Sequence, residues 1–222
     1  MNRRVPIAAA VMATVLPAFV AGASQEQGGT VRIDFEAAAT GAPPPSFTAA
    51  LTGKGGPVEW VVLEDQSAPA GPKVLAETSR DQTSDRFPLA ILDRFTAKNV
   101  DISVRFKPVA GRVDQAAGLM VRVRDANNYY IARANALEDN VRLYKVVNGH
   151  RQQFAGKNIE VPQGTWQTLG LIAEENRFAV MLNGEVLFTA TDDTFASPGR
   201  VGLWTKADSV THFDDLAVRA LP

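Results

Sequence analysis

The segment RFAVMLNGEVLFTA, Arg177 to Ala190, constrains the fold more than any other stretch. Phe178, Val180 and Leu182 recur at period two, the spacing of a half-buried strand. Asn183-Gly184 then divides two β-rich runs. Both residues tolerate positive φ, so the pair predicts a tight type I′ hairpin. The same pattern recurs along the chain. TVRIDFEA sets Val31, Ile33 and Phe35 against Arg32, Asp34 and Glu36, and DISVRFKPV turns Ile102, Val104 and Phe106 inward. VEWVVLED, VLAETS, GLMVRVRD, NYYIARANA, NVRLYKVVNG, TWQTLGLIAEE, GRVGLWTKA and VTHFDDLAVRAL continue the series. About a dozen short strands, with turn signals roughly every 8–12 residues, predict an all-β, antiparallel two-sheet sandwich. ATGAPPPSFTAALTGKGGP reads as loop by its Pro and Gly content, and DRFPLAILDRF is the one candidate helical turn.

The N-terminus opens with Arg3 and Arg4, continues through an acid-free apolar run to about Val20, and reaches Ala21-Gly22-Ala23 before Ser24. These are the three parts of a secretory signal peptide, and the run is too short and too Pro-interrupted for a span. The expected organisation is a signal peptide over 1–23, a flexible leader over 24–30 and a single domain over 31–222, in a periplasmic or extracellular protein with no membrane span after cleavage. Loss of two arginines takes the net charge from -1 to about -3. Such a surface argues against nucleic acid or anionic lipid as partner, because both need clustered Lys and Arg. With no cysteine, thiolate metal sites and thiol catalysis are excluded.

Between Trp60 and Val218 the chain carries GLMVR, DANNYY, WQTL, LNG, VGL and FDD in that order. This succession resembles the concanavalin A-like lectin/glucanase jelly roll. Within it, the chain is similar to secreted bacterial 3-keto-glycoside hydrolase/lyase-like domains, also called family-16-like glycoside hydrolases. The resemblance implies a jelly roll whose concave face holds a carbohydrate or glycoside. Family 16 glucanases carry E-x-D-x-(x)-E on one strand, and retention needs two carboxylates about 5–5.5 Å apart. Here the acids come as adjacent pairs such as Asp192-Asp193 and Asp214-Asp215, which point to opposite faces of a strand. That mechanism is not expected.

The candidate ligand face follows from alternation. Arg122 and Arg124 share one side of their strand, and Tyr129, Ile131, Arg133 and Asn135 share one side of the next. Arg, Asn and Tyr suit paired hydroxyls and the C–H face of a sugar. Trp204 and Lys206 lie opposite Leu203, where Trp204 would serve as a stacking platform, while Trp60 and Trp166 read as core. Glu138-Asp139 forms a turn from which either acid would line the site. His150 is expected at a loop tip. His212 faces away from the core beside Phe213, and Asp214-Asp215 reads as a bulge. For an enzyme acting on a 3-keto sugar, His212 or Asp208 would be the base, with Arg133 or Lys206 as oxyanion partner. No cofactor is expected beyond a structural calcium held by Asp34, Glu36 and Asp214. Three readings follow: a carbohydrate-binding domain first, a glycoside-cleaving enzyme second, and a structural domain of the cell envelope third.

Overall fold

The computed structural model describes Met1 and residues 29–222; the expected signal peptide beyond Met1, and residues 24–28 of the expected leader, lie outside the described residues, while Thr30, the last residue of that leader, already opens the first strand. Among the described residues there is no helix. The strands are β1 (Thr30–Ile33), β2 (Phe47–Gly53), β3 (Trp60–Glu64), β4 (Lys73–Glu77), β5 (Arg86–Ala97), β6 (Val100–Ala110), β7 (Ala116–Asp125) and β8 (Asn128–Asn135). They continue as β9 (Asn140–Val147), β10 (His150–Asn158), β11 (Gln167–Glu174), β12 (Arg177–Leu182), β13 (Glu185–Thr191), β14 (Gly199–Trp204) and β15 (Val210–Ala220). One sheet runs β13-β12-β11-β6-β15-β4-β3, with β1 on β15; the other runs β10-β9-β8-β7-β14-β5-β2. Every pairing is antiparallel. The chain is a jelly-roll sandwich.

The inner faces meet through the residues that period two selects. Ile102, Val104, Phe106, Phe178, Val180, Leu203 and Phe213 join Leu119, Val121 and Tyr130 in one apolar cluster. A fully buried side chain of this size contributes roughly 1.5–3 kcal/mol, which is what fixes the register of each strand. Asn183-Gly184 sits at φ 51 and 84, and Asn148-Gly149 at φ 50 and 79. These are the positive dihedrals that the two hairpin turns require.

Four expectations change. DRFPLAILDRF is not a helical turn but most of β5, with Phe87, Leu89 and Ile91 on one face and Ala90 and Leu92 on the other. A run buried on both sides loses the alternation that marks a strand. The Pro-rich loop yields β2 at FTAALTG. His150 begins β10 rather than capping a loop; β10 is an edge strand, and its polar HRQQ opening hid it. Fourth, β7 is bulged: its register against β8 shifts between Val121 and Asp125, with Arg122 at φ 52. The bulge reverses the alternation, so Arg122 turns away from the face of Met120 and Val123 joins it. At Asp214-Asp215 the register of β15 against β6 also shifts, with Asp215 at φ 44.

The seven-stranded sheet is strongly curved. On a flat sheet β2 and β8, four strand spacings apart, would be separated by roughly 19 Å. Yet Thr52 Oγ1 of β2 lies 2.9 Å from the Tyr129 hydroxyl of β8. The curl turns the outer face of this sheet into a hollow and gives it a core of its own, with Phe87, Leu89, Met120, Tyr129, Ile131, Tyr144 and Trp204 all buried.

Candidate functional site

The polar end of this hollow is built from two linked groups. Arg133 projects from β8 opposite Gly118 of β7, which in turn pairs with Trp204 of β14. Gly118 adds no side chain between Trp204 and Arg133, and the Ile131 side chain packs over it, 2.8 Å from where a Cβ would stand. The Arg133 Nη2 donates to Glu138 Oε2 at 2.9 Å and to the Asn140 side-chain oxygen, and Asn140 Nδ2 donates to Glu138 Oε2 at 3.1 Å. Burial pushes the Glu138 carboxyl up, but the hydrogen bonds from Arg133 and Asn140 outweigh it and hold the group below the usual carboxylate range. Glu138 is 47% exposed, whereas Arg133 is 1% exposed; solvent therefore meets the cluster through the carboxylate.

The second group centres on Asp114, which is fully buried. Its Oδ2 accepts from Lys206 Nζ at 2.5 Å and its Oδ1 from Asn135 Nδ2 at 2.8 Å. Burial pushes the Asp114 carboxyl up against the pull of Lys206. Asp208 holds the loop that carries Asp114. Its carboxylate accepts from the backbone N–H groups of Arg112, Val113 and Asp114 at 2.9, 3.0 and 3.2 Å. An acid with both oxygens committed to three amides, and 4% exposed, is an anchor of the loop. That geometry does not suit the base expected of it.

Aromatic rings floor the hollow. Trp204 is not an exposed platform: it is fully buried, its ring stacked on Phe87 at 5.4 Å and its Nε1 donating to the Tyr129 hydroxyl at 3.2 Å. Tyr129 shares this contact with Thr52, and burial pushes its hydroxyl up to about 12. Over the floor lies Arg151, the second residue of β10, its guanidinium carbon 4.5 Å from the Tyr144 ring centre, 4.9 Å from Phe87 and 5.7 Å from Trp204. Sequence reasoning missed Arg151 and Asp114. Extending the Asn148-Gly149 hairpin by its two-residue register places Arg151 opposite Val146 and would have found the first; Asp114 carries no local signal.

The remaining candidates lie elsewhere. Arg122 closes one end of the sandwich, donating to the carbonyls of Lys98 and Phe195 at 2.9 Å each and to that of Glu175, with its guanidinium 5.5 Å from the Phe178 ring. Arg124 is exposed and lies over Phe195 at 4.9 Å. Neither joins Arg133, because the bulge turned them aside.

His212 belongs to the other sheet, on its outer face, and is separated from Trp204 and Lys206 by the thickness of the sandwich. Its Nδ1 donates to Asp65 Oδ2 at 2.8 Å, and Asp65 also pairs with Lys107. Burial lowers the His212 pKa more than Asp65 raises it. Trp60 packs in the core against Phe213. Trp166 does not: it is partly exposed beneath Lys107, donating to Ser67 Oγ at 3.1 Å.

The expected calcium ligands serve the backbone. Asp34 Oδ1 accepts from Glu36 N–H at 3.2 Å, Glu36 Oε1 from Lys73 N–H at 2.7 Å, and Asp214 Oδ2 from Ala70 N–H at 2.9 Å. No group of three metal-capable side chains occurs among the described residues. The Asp34, Glu36 and Asp214 set does not fit the ion.

Comparison with known proteins adds the family. The 3-keto-alpha-glucoside-1,2-lyase-like domain matches residues 52–219. None of the curated proteins is significantly similar in sequence. Among solved structures, the carbohydrate-binding module CBM66 from Bacillus subtilis is 21% identical with a TM-score of 0.61, over 79% of this chain and 96% of that one. The beta-glucanase of Bacillus licheniformis is 14% identical with a TM-score of 0.56, over 87% and 99%. A protein of unknown function with a galectin-like fold from Bacillus subtilis is 12% identical with a TM-score of 0.54, over 78% and 88%. At these identities the likeness is one of fold.

Proposed function

The chain belongs to the family of 3-keto-alpha-glucoside-1,2-lyase-like domains, and from there we propose that the hollow of the seven-stranded sheet binds a carbohydrate. One observation carries the reading. Arg133, Glu138, Asn140, Asp114 and Lys206 converge at one end of a face whose floor is Tyr144 and Trp204. The fixed polar rim is what a sugar needs, its hydroxyls set against planar donors and acceptors, while the buried Trp204 supports the face from beneath. Each hydroxyl exchanges water for protein at only about 1 kcal/mol net, so affinity should be modest. The jelly-roll solutions seen in CBM66 and the glucanase support a carbohydrate role by fold alone. The test is titration of an oligosaccharide panel into the wild type and into Arg133→Ala and Glu138→Ala. Binding lost in both variants while their melting temperatures hold supports the proposal. Binding unchanged in both refutes it.

A second reading is cleavage of a 3-keto-glycoside. Elimination removes the proton beside the ketone and expels the glycosidic oxygen, which needs one base and one cation. Glu138 and Arg133 are such a pair on this face, in place of His212 and Asp208. A carboxyl held below its usual range is a weak base, however, and binding therefore stands first. Loss of 3-keto-glycoside turnover in Glu138→Gln, with sugar binding retained, would reverse that order.

Export belongs to the same proposal. Residues 1–23 form a removable signal peptide in our reading, so the secreted product should begin at Ser24. A secreted or cell-associated product that retains Met1 would overturn it.

A further inference from the structure

The least compensated charge on the hollow face is Arg151. Arg133 is neutralised by Glu138 and Lys206 by Asp114. Arg151 has no carboxylate within 4 Å among the described residues, and its Nη1 is buried with no acceptor among them. Burial lowers its pKa, against a raise from Tyr144, and the neighbouring Arg133 lowers it further; the Asp114 carboxylate acts on it only at a distance and is already paired with Lys206. Three aromatic faces lie within 6 Å of its guanidinium carbon. Cation–π attraction recovers part of the lost hydration but leaves the N–H donors unanswered.

A second cation lies nearby. Arg133 stands 5.6 Å from the same Tyr144 ring centre that Arg151 approaches to 4.5 Å. The two guanidiniums therefore lie within about one Debye length, ~10 Å, and repel. The Nε of Arg133 is also buried without an acceptor among the described residues. Arg151 moreover borders open space: with Lys54, Asp85, Phe87 and His150 it lines a cavity of about 410 Å³, large enough for one sugar unit. The charged groups around it are Lys54 and Arg151 against the single carboxylate of Asp85.

We propose that the carbohydrate taken by this face is acidic: one sugar unit carries a carboxylate, which occupies the cavity at Arg151 and accepts from its unpartnered guanidinium N–H groups. This rests on the carbohydrate reading of the hollow and names the class of its ligand. A planar carboxylate matches the two-pronged guanidinium and supplies the missing counter-charge. The ring of the same unit would meet Phe87, and neighbouring neutral units the Arg133–Glu138–Asn140 rim.

The experiment is calorimetric titration of the whole exported chain with oligomers of galacturonate, glucuronate and mannuronate. Each is compared with its carboxyl-reduced, neutral counterpart and with a sulfated form of that neutral oligomer. At least one acidic oligomer should bind ten-fold or more tightly than its reduced counterpart, with the gap narrowing as salt rises. Arg151→Gln should close the gap, and Arg151→Lys, which keeps the charge, should preserve part of it. Reduced oligomers binding as well as acidic ones would overturn the inference and leave the carbohydrate reading intact. Tighter binding of the sulfated form would overturn the carboxylate assignment. No binding by any oligomer, acidic or neutral, would overturn both.

Discussion

Replacing Asp208 with alanine separates two roles that the sequence left open. If Asp208 were a base, the variant would lose turnover and keep its stability. The geometry makes it an anchor, with three backbone amides held at 2.9, 3.0 and 3.2 Å by a carboxylate that is 4% exposed. A hydrogen bond to a charged acceptor is worth roughly 1.5–3 kcal/mol, and an orphaned buried donor costs 1–3 kcal/mol. The three bonds share one acceptor group and are not additive, so the expected loss for Asp208→Ala is about 3–5 kcal/mol. In a domain of this size 1 kcal/mol moves the melting temperature by about 2–4 °C, which makes the drop roughly 10 °C. Asp208→Asn keeps the oxygen that serves Val113 and Asp114 but turns an amide toward Arg112 N–H, so it should fall by less than half as much. The assay is thermal and urea unfolding of the three proteins, read beside sugar binding. Released from its anchor, the loop should also let Asp114 drift from Lys206 and Asn135, and affinity should fall with stability. An alanine variant that melts with the wild type would refute the reasoning.

Other consequences can be checked on the same preparations. Trp204→Ala should destabilise by about 3–5 kcal/mol through the cavity left between Phe87 and Tyr129; an exposed platform would lose affinity alone, so chemical denaturation decides. Arg122→Ala should cost a similar ~3–5 kcal/mol, because three carbonyls at the sandwich end lose their donor, and should leave sugar binding of the folded protein unchanged by titration. His212 gives a pH dependence. Its folded pKa lies below the ordinary 6.5, so the unfolded chain binds a proton that the folded chain refuses. Its contribution is present above 6.5 and is lost as pH falls from there through the folded pKa. His212→Gln should therefore lose less stability than the wild type between pH 6.5 and 5 in unfolding titrations, whereas Asp65, held well below the ordinary carboxylate pKa, titrates lower.

How much the sequence disclosed depended on whether a face was buried on one side or two. β6 and β12 each have one face in the core, and their alternation gave the correct inward residues, Ile102 and Phe178 among them. β5 is covered on both faces and β10 is a polar edge, so period two is weak in each. The hidden bulge at Arg122 did more damage to the site. One residue out of register reversed the side of every later residue in β7 and set Arg122 and Arg124 wrongly beside Arg133. The Asp214-Asp215 bulge was legible because Phe213, Leu216 and Val218 visibly break the alternation. The grouping of Arg133 with Asn135 came from one strand and was readable. Asp114 and Arg151 reach the same hollow only through the loop pinned by Asp208 and through the curl of the sheet, both products of contacts distant in sequence. For the same reason His212, close to Trp204 in the chain, lies across the sandwich from it.

The central claim, that sugar binds in the hollow of the seven-stranded sheet, has a direct reporter in the three tryptophans. Trp204 lies beneath the hollow, Trp166 on the opposite sheet beside Lys107 and Ser67, and Trp60 in the core. In a ¹H–¹⁵N spectrum of the protein each indole N–H gives one signal, and the Arg133 and Arg151 Nε–H signals can be followed beside them. Saturation with the tightest oligosaccharide should move the Trp204, Arg133 and Arg151 signals and leave Trp166 and Trp60 in place. Movement of Trp166 with a still Trp204 and still arginines would place the sugar on the other sheet and contradict the account.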